Sequence, residues 1–168
     1  MTEDERMQRI TPCLWFDDNA EAAVTFYTSI FENSKITAVT HYGPAGARAS
    51  GRPPGSVMTM AFQLDGQEFL ALNGGPHVTF SPAISFIASC RTQKELDDLW
   101  AKLAVGGTIE RCGWLRDRFG VSWQLVPADI GAMMQDTDDG RADRVMRAIL
   151  EMKKIHMDTL RRAYQQPT

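Results

Sequence analysis

The sequence predicts an α+β fold: two β-α-β-β-β modules followed by a helical carboxy-terminal extension. Three observations carry that prediction. The order strand, helix, three strands occurs twice, and superposing the two helical stripes sets Tyr27 on Trp100 and Asn19 on Thr92, an offset of about 73 positions in both cases. Within each module, short runs of β-branched and aromatic residues are separated by turn residues. After Pro127 the β pattern stops and a helical period takes over. The expected boundaries are 1–75 for the first module, 76–128 for the second and 129–168 for the extension, all within one structural domain.

The elements follow in order. Residues 10–16 are apolar β-formers and read as a strand. Asp17, Asp18 and Asn19 supply N-cap side chains for a helix whose apolar face is Ala20, Ala23, Val24, Tyr27, Ile30 and Phe31. Residues 35–42 return to β-formers. Residues 43–56 are Gly, Pro, Ala, Ser and Arg without a period, and read as a long loop. Arg48 and Arg52 on it are candidates to cover an anionic ligand, against the plainer reading of a solvated loop. Residues 57–64 and 67–73 are strands joined by Asp65-Gly66, the strongest hairpin signal in the chain. In the second module residues 83–89 form a strand. Thr92 and Glu95 make a capping box, and Leu96, Leu99, Trp100 and Leu103 form the stripe that Gly106-Gly107 ends. Residues 108–111, 113–118 and 121–127 read as three short strands. Residues 129–135 are one or two helical turns, 136–140 an acidic break. Residues 141–164 are one long helix with Val145, Ile149, Met152, His156 and Leu160 along a face. Asp138, Asp139 and Asp143 at its start and Arg161 and Arg162 at its end complement the helix dipole.

Composition narrows the function. A chain of 168 residues is long enough to bury a self-sufficient core. Hydrophobic residues at 43% and charged residues at 23% exclude disorder, collagen and coiled coil. The net charge of -3 argues against nucleic acid as the main partner, and no apolar run approaches the roughly 20 residues that span a bilayer. The opening MTEDERMQRI has no apolar stretch, so no signal peptide is expected. Cys13, Cys90 and Cys112 are odd in number and widely spaced, which fits neither a disulfide framework nor a zinc motif and suits the cytoplasm.

The stretches ITPCLWFDDNAEAAVTFYTSIF, SVMTMAFQLDGQEFLALNGGP, CGWLRDRFGVSWQLVP and RVMRAILEMKKIHMDTLRRAY resemble the vicinal oxygen chelate superfamily of glyoxalase I and bleomycin-resistance proteins. The closer resemblance is to its PhnB-like branch, whose members carry the label 3-demethylubiquinone-9 3-methyltransferase. The resemblance covers nearly the whole chain. It implies glyoxalase-like paired modules, each curling its sheet into a cleft, and a homodimer. In metal-using relatives, His or Gln on a module's first strand and Glu near its last strand hold a divalent ion. The resemblance places Pro12 and the neighbourhood of Ala83 at the first-strand positions, Gln124 at the last-strand position, and Asn73 near the end of the first hairpin. Two neutral amides without His or carboxylate make a poor metal site, so no metal and no cofactor are expected.

The other chemical candidates are thin. His41, His77 and His156 fall on unrelated elements. The run Asp136, Asp138, Asp139 and Gly140 fails as an EF-hand, with its glycine one position early and no closing Glu. No Gly-rich turn joins a strand to a helix as a nucleotide-binding crossover requires. Cys112 has no His beside it in sequence and reads as a small core or edge thiol. Trp100 belongs to the helix stripe, Trp15 and Trp123 are expected to face the helices, and Trp114 is a candidate to line the cleft, against the plainer reading of a core residue.

The expected function is therefore metal-free binding of a small organic molecule in the module cleft by a cytoplasmic homodimer. Leu14, Phe16, Ser122, Gln124 and Val126 are expected to point into the cleft, with Asn73 and Gln124 orienting the ligand and Trp114 forming a wall. The alternatives are a metal-dependent lyase, isomerase or dioxygenase, the labelled ubiquinone-type methyltransferase, and a non-catalytic dimeric interaction module working through its tail helix.

Overall fold

Strand β1 (Cys13–Phe16) leads into helix α1 (Ala20–Ile30), and strands β2 (Lys35–His41), β3 (Val57–Leu64) and β4 (Gln67–Asn73) complete the first module, with a short helix α2 (Pro44–Ser50) between β2 and β3. The computed structural model describes residues 8–136 and 140–166, and the chain divides into two units, Met1–Thr79 and Phe80–Thr168. In the first unit the sheet order is β1-β4-β3-β2, with β1 and β4 parallel and the other neighbours antiparallel. Asp65 and Gly66 both have positive φ (47° and 77°), the backbone a two-residue hairpin turn needs to match strand twist. Helix α1 buries Ala20, Ala23, Val24, Tyr27 and Ile30. The sheet contributes Leu14, Phe16, Phe62, Phe69 and Ala71 to the core, with the rings of Phe62 and Phe69 stacked at 5.4 Å.

The start of α1 departs from expectation. Asn19 is the N-cap residue, but its side chain makes no cap hydrogen bond. The acceptor comes from β4: Asn73 Oδ1 takes the Ala20 N–H at 2.9 Å. Segment 43–56 also differs. Pro44 starts helix α2, the alanines at 45, 47 and 49 sustain it, and Gly51 closes it in the left-handed conformation, donating its N–H to Ala47 O. Proline at a first turn and glycine past a last turn bracket a helix as readily as they mark a loop.

The second unit holds β5 (Ser85–Cys90), α3 (Gln93–Leu103), β6 (Thr108–Ile109), β7 (Trp114–Arg116) and β8 (Ser122–Pro127) in the order β5-β8-β7-β6, again with one parallel pair, β5 and β8. The capping box forms: Glu95 N–H donates to Thr92 Oγ1, and Glu95 Oε2 accepts from Arg91 N–H, one residue ahead of the cap. Leu96, Trp100 and Leu103 are buried as the stripe predicts.

The extension falls in this second unit as three helices, α4 (Ile130–Gln135), α5 (Arg141–Leu150) and α6 (Met157–Gln165). The single helix expected over 141–164 is broken at 151–156. The carbonyls of Met152 and Lys153 leave the helical ladder to accept from the Cys112 and Gly113 N–H groups, at 2.8 and 2.7 Å. A side chain at Gly113 would sit 2.8 Å from Leu125 O and 3.0 Å from Ile155, so that close approach requires glycine. Gln93 fixes the restart: its amide donates to Ile155 O and accepts the Met157 N–H, filling one orphan site at the α6 end. Lys154 pairs with Asp97 at 2.6 Å. Asp138 and Asp139, expected at the helix start, lie outside the described residues. No helix among the described residues is long and apolar enough to cross a membrane.

Candidate functional site

The alternation of β8 builds the candidate site. Trp123 and Leu125 are buried (4% and 0% exposed), and Trp123 Nε1 donates to Asp117 Oδ2 at 2.9 Å. Successive strand side chains take opposite faces, so Ser122, Gln124 and Val126 share the other one. Register adds their neighbours. Gln124 lies opposite Trp114 on β7 and Ile87 on β5, and Ser122 lies opposite Arg116 and Ser85. Gln124 Nε2 donates to Ser85 Oγ at 2.9 Å. Trp114 and Gln124 are half-buried and Ile87 is exposed. Ser122 is 1% exposed, and its Oγ has no hydrogen-bond partner. The face is thus a small polar centre of two hydroxyls and an amide, with Arg116 across from Ser122, and Trp114 and Ile87 across from Gln124.

The structure sets Trp114 opposite Gln124, puts Ser122 two residues along on the same face of β8, and adds Ser85 and Ile87 from β5. It places Leu14, Phe16 and Asn73 differently. In β1, Leu14 pairs with Ala71 and Phe16 with Asn73, and Asn73 bonds to the start of α1, so all of them face the helix. Leu14 and Phe16 are core (8% and 2% exposed). The Asn73 amide is spent: besides capping Ala20 it donates to Glu21 Oε2 at 3.0 Å and Val57 O at 3.2 Å. The register of β1 is therefore one residue out from the sequence reading, which exchanges its faces.

Trp15, expected against the helix, takes the opposite face instead. It is 36% exposed and held by Nε1–H to Gly75 O at 3.0 Å. A side chain at Gly74 would meet its ring within 2.7 Å. The Gly74-Gly75 pair just after β4 was the available signal, since adjacent glycines allow a flat ring onto backbone.

The donor set does not fit the divalent-ion site of metal-using relatives. Pro12 and Ala83 offer no side-chain donor, the Asn73 amide is occupied, and Gln124 is a neutral amide. Among the described residues no three of His, Cys, Asp and Glu gather as a metal-binding group. Burial pushes the Cys90 thiol up to about 11, with the Glu95 carboxylate adding to it, so it is a protonated core group rather than a nucleophile. Cys112 is half-buried at φ 59°, held by its bond to Met152 O.

Comparison with known proteins places this arrangement. The family described as 3-demethylubiquinone-9 3-methyltransferase matches residues 8–126. The chain belongs to that family. A PhnB protein of Bacillus cereus bearing the same methyltransferase description is 37% identical, with a TM-score of 0.63 over 71% of this chain and 99% of that one. Protein PA1353 of Pseudomonas aeruginosa (21% identity, TM-score 0.57, covering 70% of this chain and 96% of that one) shares the fold. So does the fosfomycin resistance protein FosX of Listeria monocytogenes (13% identity, TM-score 0.52, covering 76% and 96%). No curated protein matches. The chain is thus a PhnB-like member of the vicinal oxygen chelate superfamily, and its two modules are the glyoxalase-like fold. Within this PhnB-like chain the turns from β1 to α1 (residues 17–19) and from β5 to α3 (residues 91–92) contain no glycine.

Proposed function

We propose that this PhnB-like protein binds a small organic molecule on the Trp114–Ser122–Gln124 face of its second module, with hydrogen bonds rather than a divalent metal as the orienting force. One observation carries the reading. The hydroxyl of Ser122 is buried without a partner on the strand face that it shares with the Gln124 amide. Native proteins leave few such groups, because an unmade hydrogen bond in a buried place costs about 1–3 kcal/mol. A ligand hydroxyl, carbonyl or amide reaching Ser122 would supply the missing bond. Gln124 would present its remaining amide valences, and Trp114 and Ile87 the apolar contact usual for organic-ligand sites. The same reading takes the working form as a homodimer.

A thermal-shift screen of polar metabolites tests this. The expected result is at least one compound that raises the midpoint of the parent protein, with the rise lost in Gln124→Ala. A compound whose effect survives both Gln124→Ala and Ser122→Ala binds elsewhere, and a screen in which every hit behaves so overturns the reading.

A further inference from the structure

The segment between β2 and β3 is a built structure rather than a slack connection. Tyr42 closes its neck: the Tyr42 N–H donates to Ser56 O at 2.9 Å, and the Gly55 N–H donates to Tyr42 O at 2.7 Å. The Tyr42 hydroxyl reaches Asn73 O at 2.6 Å and anchors the neck to β4. Inside the neck, Ser50 Oγ donates to Gly46 O and accepts the Arg52 N–H, which fixes the backbone where α2 ends. Compact loops with closed ends often carry function.

This loop holds an open depression of about 300 Å3 lined by Pro44, Ala47, Arg48, Arg52 and Pro54. Its walls are two prolines and an alanine, and its charged groups are two guanidinium ions. Arg48 is exposed. Arg52 is largely enclosed, with 20% of its side chain exposed, and its Nε is buried with no hydrogen-bond partner. Asp17 Oδ1 stands 3.7 Å from Nη1, within ionic reach but beyond hydrogen-bond length. A guanidinium cannot lose its charge to relieve burial, and its planar N–H edges match the paired oxygens of a carboxylate or phosphate. The depression therefore has more fixed positive charge than its neighbours compensate.

We propose that Arg48 and Arg52 form a binding site for a small organic anion: a carboxylate or phosphate oxygen pair held by the two guanidinium groups, with a compact apolar body against Pro44, Ala47 and Pro54. The closed neck preorganises the loop, so binding does not have to order it. Asp17 competes with the ligand for Arg52.

Isothermal titration with phenyl phosphate, benzoate and neutral benzyl alcohol tests the site. Phenyl phosphate and benzoate are expected to saturate, and benzyl alcohol not to. The ratio of the first two affinities tells whether phosphate or carboxylate is the better fit. Arg48→Ala is the main variant, since its side chain is exposed and its loss leaves the fold alone; it should weaken phenyl phosphate binding about 10-fold or more. Arg52→Lys keeps the charge but loses the planar fork and should weaken it by a similar factor. Asp17→Asn removes the competing carboxylate and should tighten it, and Gln124→Ala should leave it unchanged. Should Arg52→Lys fail to fold, Arg48→Ala and Asp17→Asn decide. The proposal is overturned if the parent protein shows no saturable binding of either anion, if benzyl alcohol binds as well, or if Arg48→Ala and Asp17→Asn both leave affinity unchanged.

Discussion

Replacing Ser122 by alanine removes one oxygen from a place that is 1% exposed and gives that oxygen no partner. The sign of the effect follows from what the hydroxyl does in the folded protein. In the unfolded chain it bonds to water. In the folded chain that bond is lost and nothing replaces it, at a cost of about 1–3 kcal/mol. Deleting the oxygen removes this cost, and the void left by a single atom returns only a few tenths of a kcal/mol of it. The expected net effect of Ser122→Ala is a stabilisation of about 1–2 kcal/mol. For a chain of this length that raises the midpoint by about 2–8 °C. Urea denaturation followed by tryptophan fluorescence measures it directly, with an unchanged m-value as the check that the denatured state is the same. A stabilising change that also abolishes the ligand-induced thermal shift is the signature of a group kept for binding at the expense of stability. A loss of 1 kcal/mol or more would mean that the hydroxyl is bonded in the folded protein, and the argument from an unmade bond would fall.

Four further outcomes follow. Asn73→Ala should cost about 2–3 kcal/mol in denaturant melts, because the buried Ala20 N–H at the start of α1 loses its acceptor; a loss under about 0.5 kcal/mol would show that the cap is not used. Trp123→Ala should cost about 3–5 kcal/mol as a large-to-small change in the core that also removes the indole N–H from Asp117 Oδ2, and a neutral result would put Trp123 on the wrong face. The Cys90 thiol, raised from 9.0 to about 11 in the fold, keeps its proton where the unfolded chain releases it; stability should therefore fall as pH rises through that window, less steeply in Cys90→Ala, and equal slopes would refute it. Light scattering should give twice the 18.8 kDa chain mass for the homodimer, and a single chain mass at micromolar concentration would exclude it.

What the sequence makes legible is what local patterning controls. The two helices and the hairpin at Asp65-Gly66 are written in period and turn chemistry, so α1 and α3 fall where their stripes put them. The β8 alternation is legible because Trp123 and Leu125 are large apolar residues flanking a glutamine. β1 is not, because Cys13, Leu14, Trp15 and Phe16 are all apolar and either parity looks like a core face. Pairing with β4, remote in sequence, decides it. The break at 151–156 is illegible for a related reason. Residues 141–164 keep a helical period throughout, and the competing bonds come from Cys112 and Gly113 in another module. Helix α2 was hidden by composition, since its Gly and Pro stand at positions that cap a helix as well as end one.

Polar candidates expose the deeper difficulty, because burial does not separate a structural group from a waiting one. Asn73 and Ser122 are 3% and 1% exposed and both sit on strands at a module's parallel pair. From sequence they look alike. Asn73 makes hydrogen bonds to Ala20, Glu21 and Val57, which exhausts what a caged amide can usefully do, so it holds α1 to β4. Ser122 makes none. The difference lies in hydrogen-bond accounting, which for Asn73 depends on partners from α1 and β3 and so cannot be read along the chain. Among the described residues only two buried side-chain atoms fail that accounting, Ser122 Oγ in the second unit and Arg52 Nε in the first. One is a neutral hydroxyl on the strand face of the Gln124 amide; the other is part of a cation in a proline-walled depression. Those two atoms call for different ligand chemistry, a hydrogen-bonding group for the hydroxyl and an anion for the guanidinium. That is why the variants at Gln124 and at Arg48 are expected to act independently, and why a single compound whose binding is lost in both would require one site where two are argued.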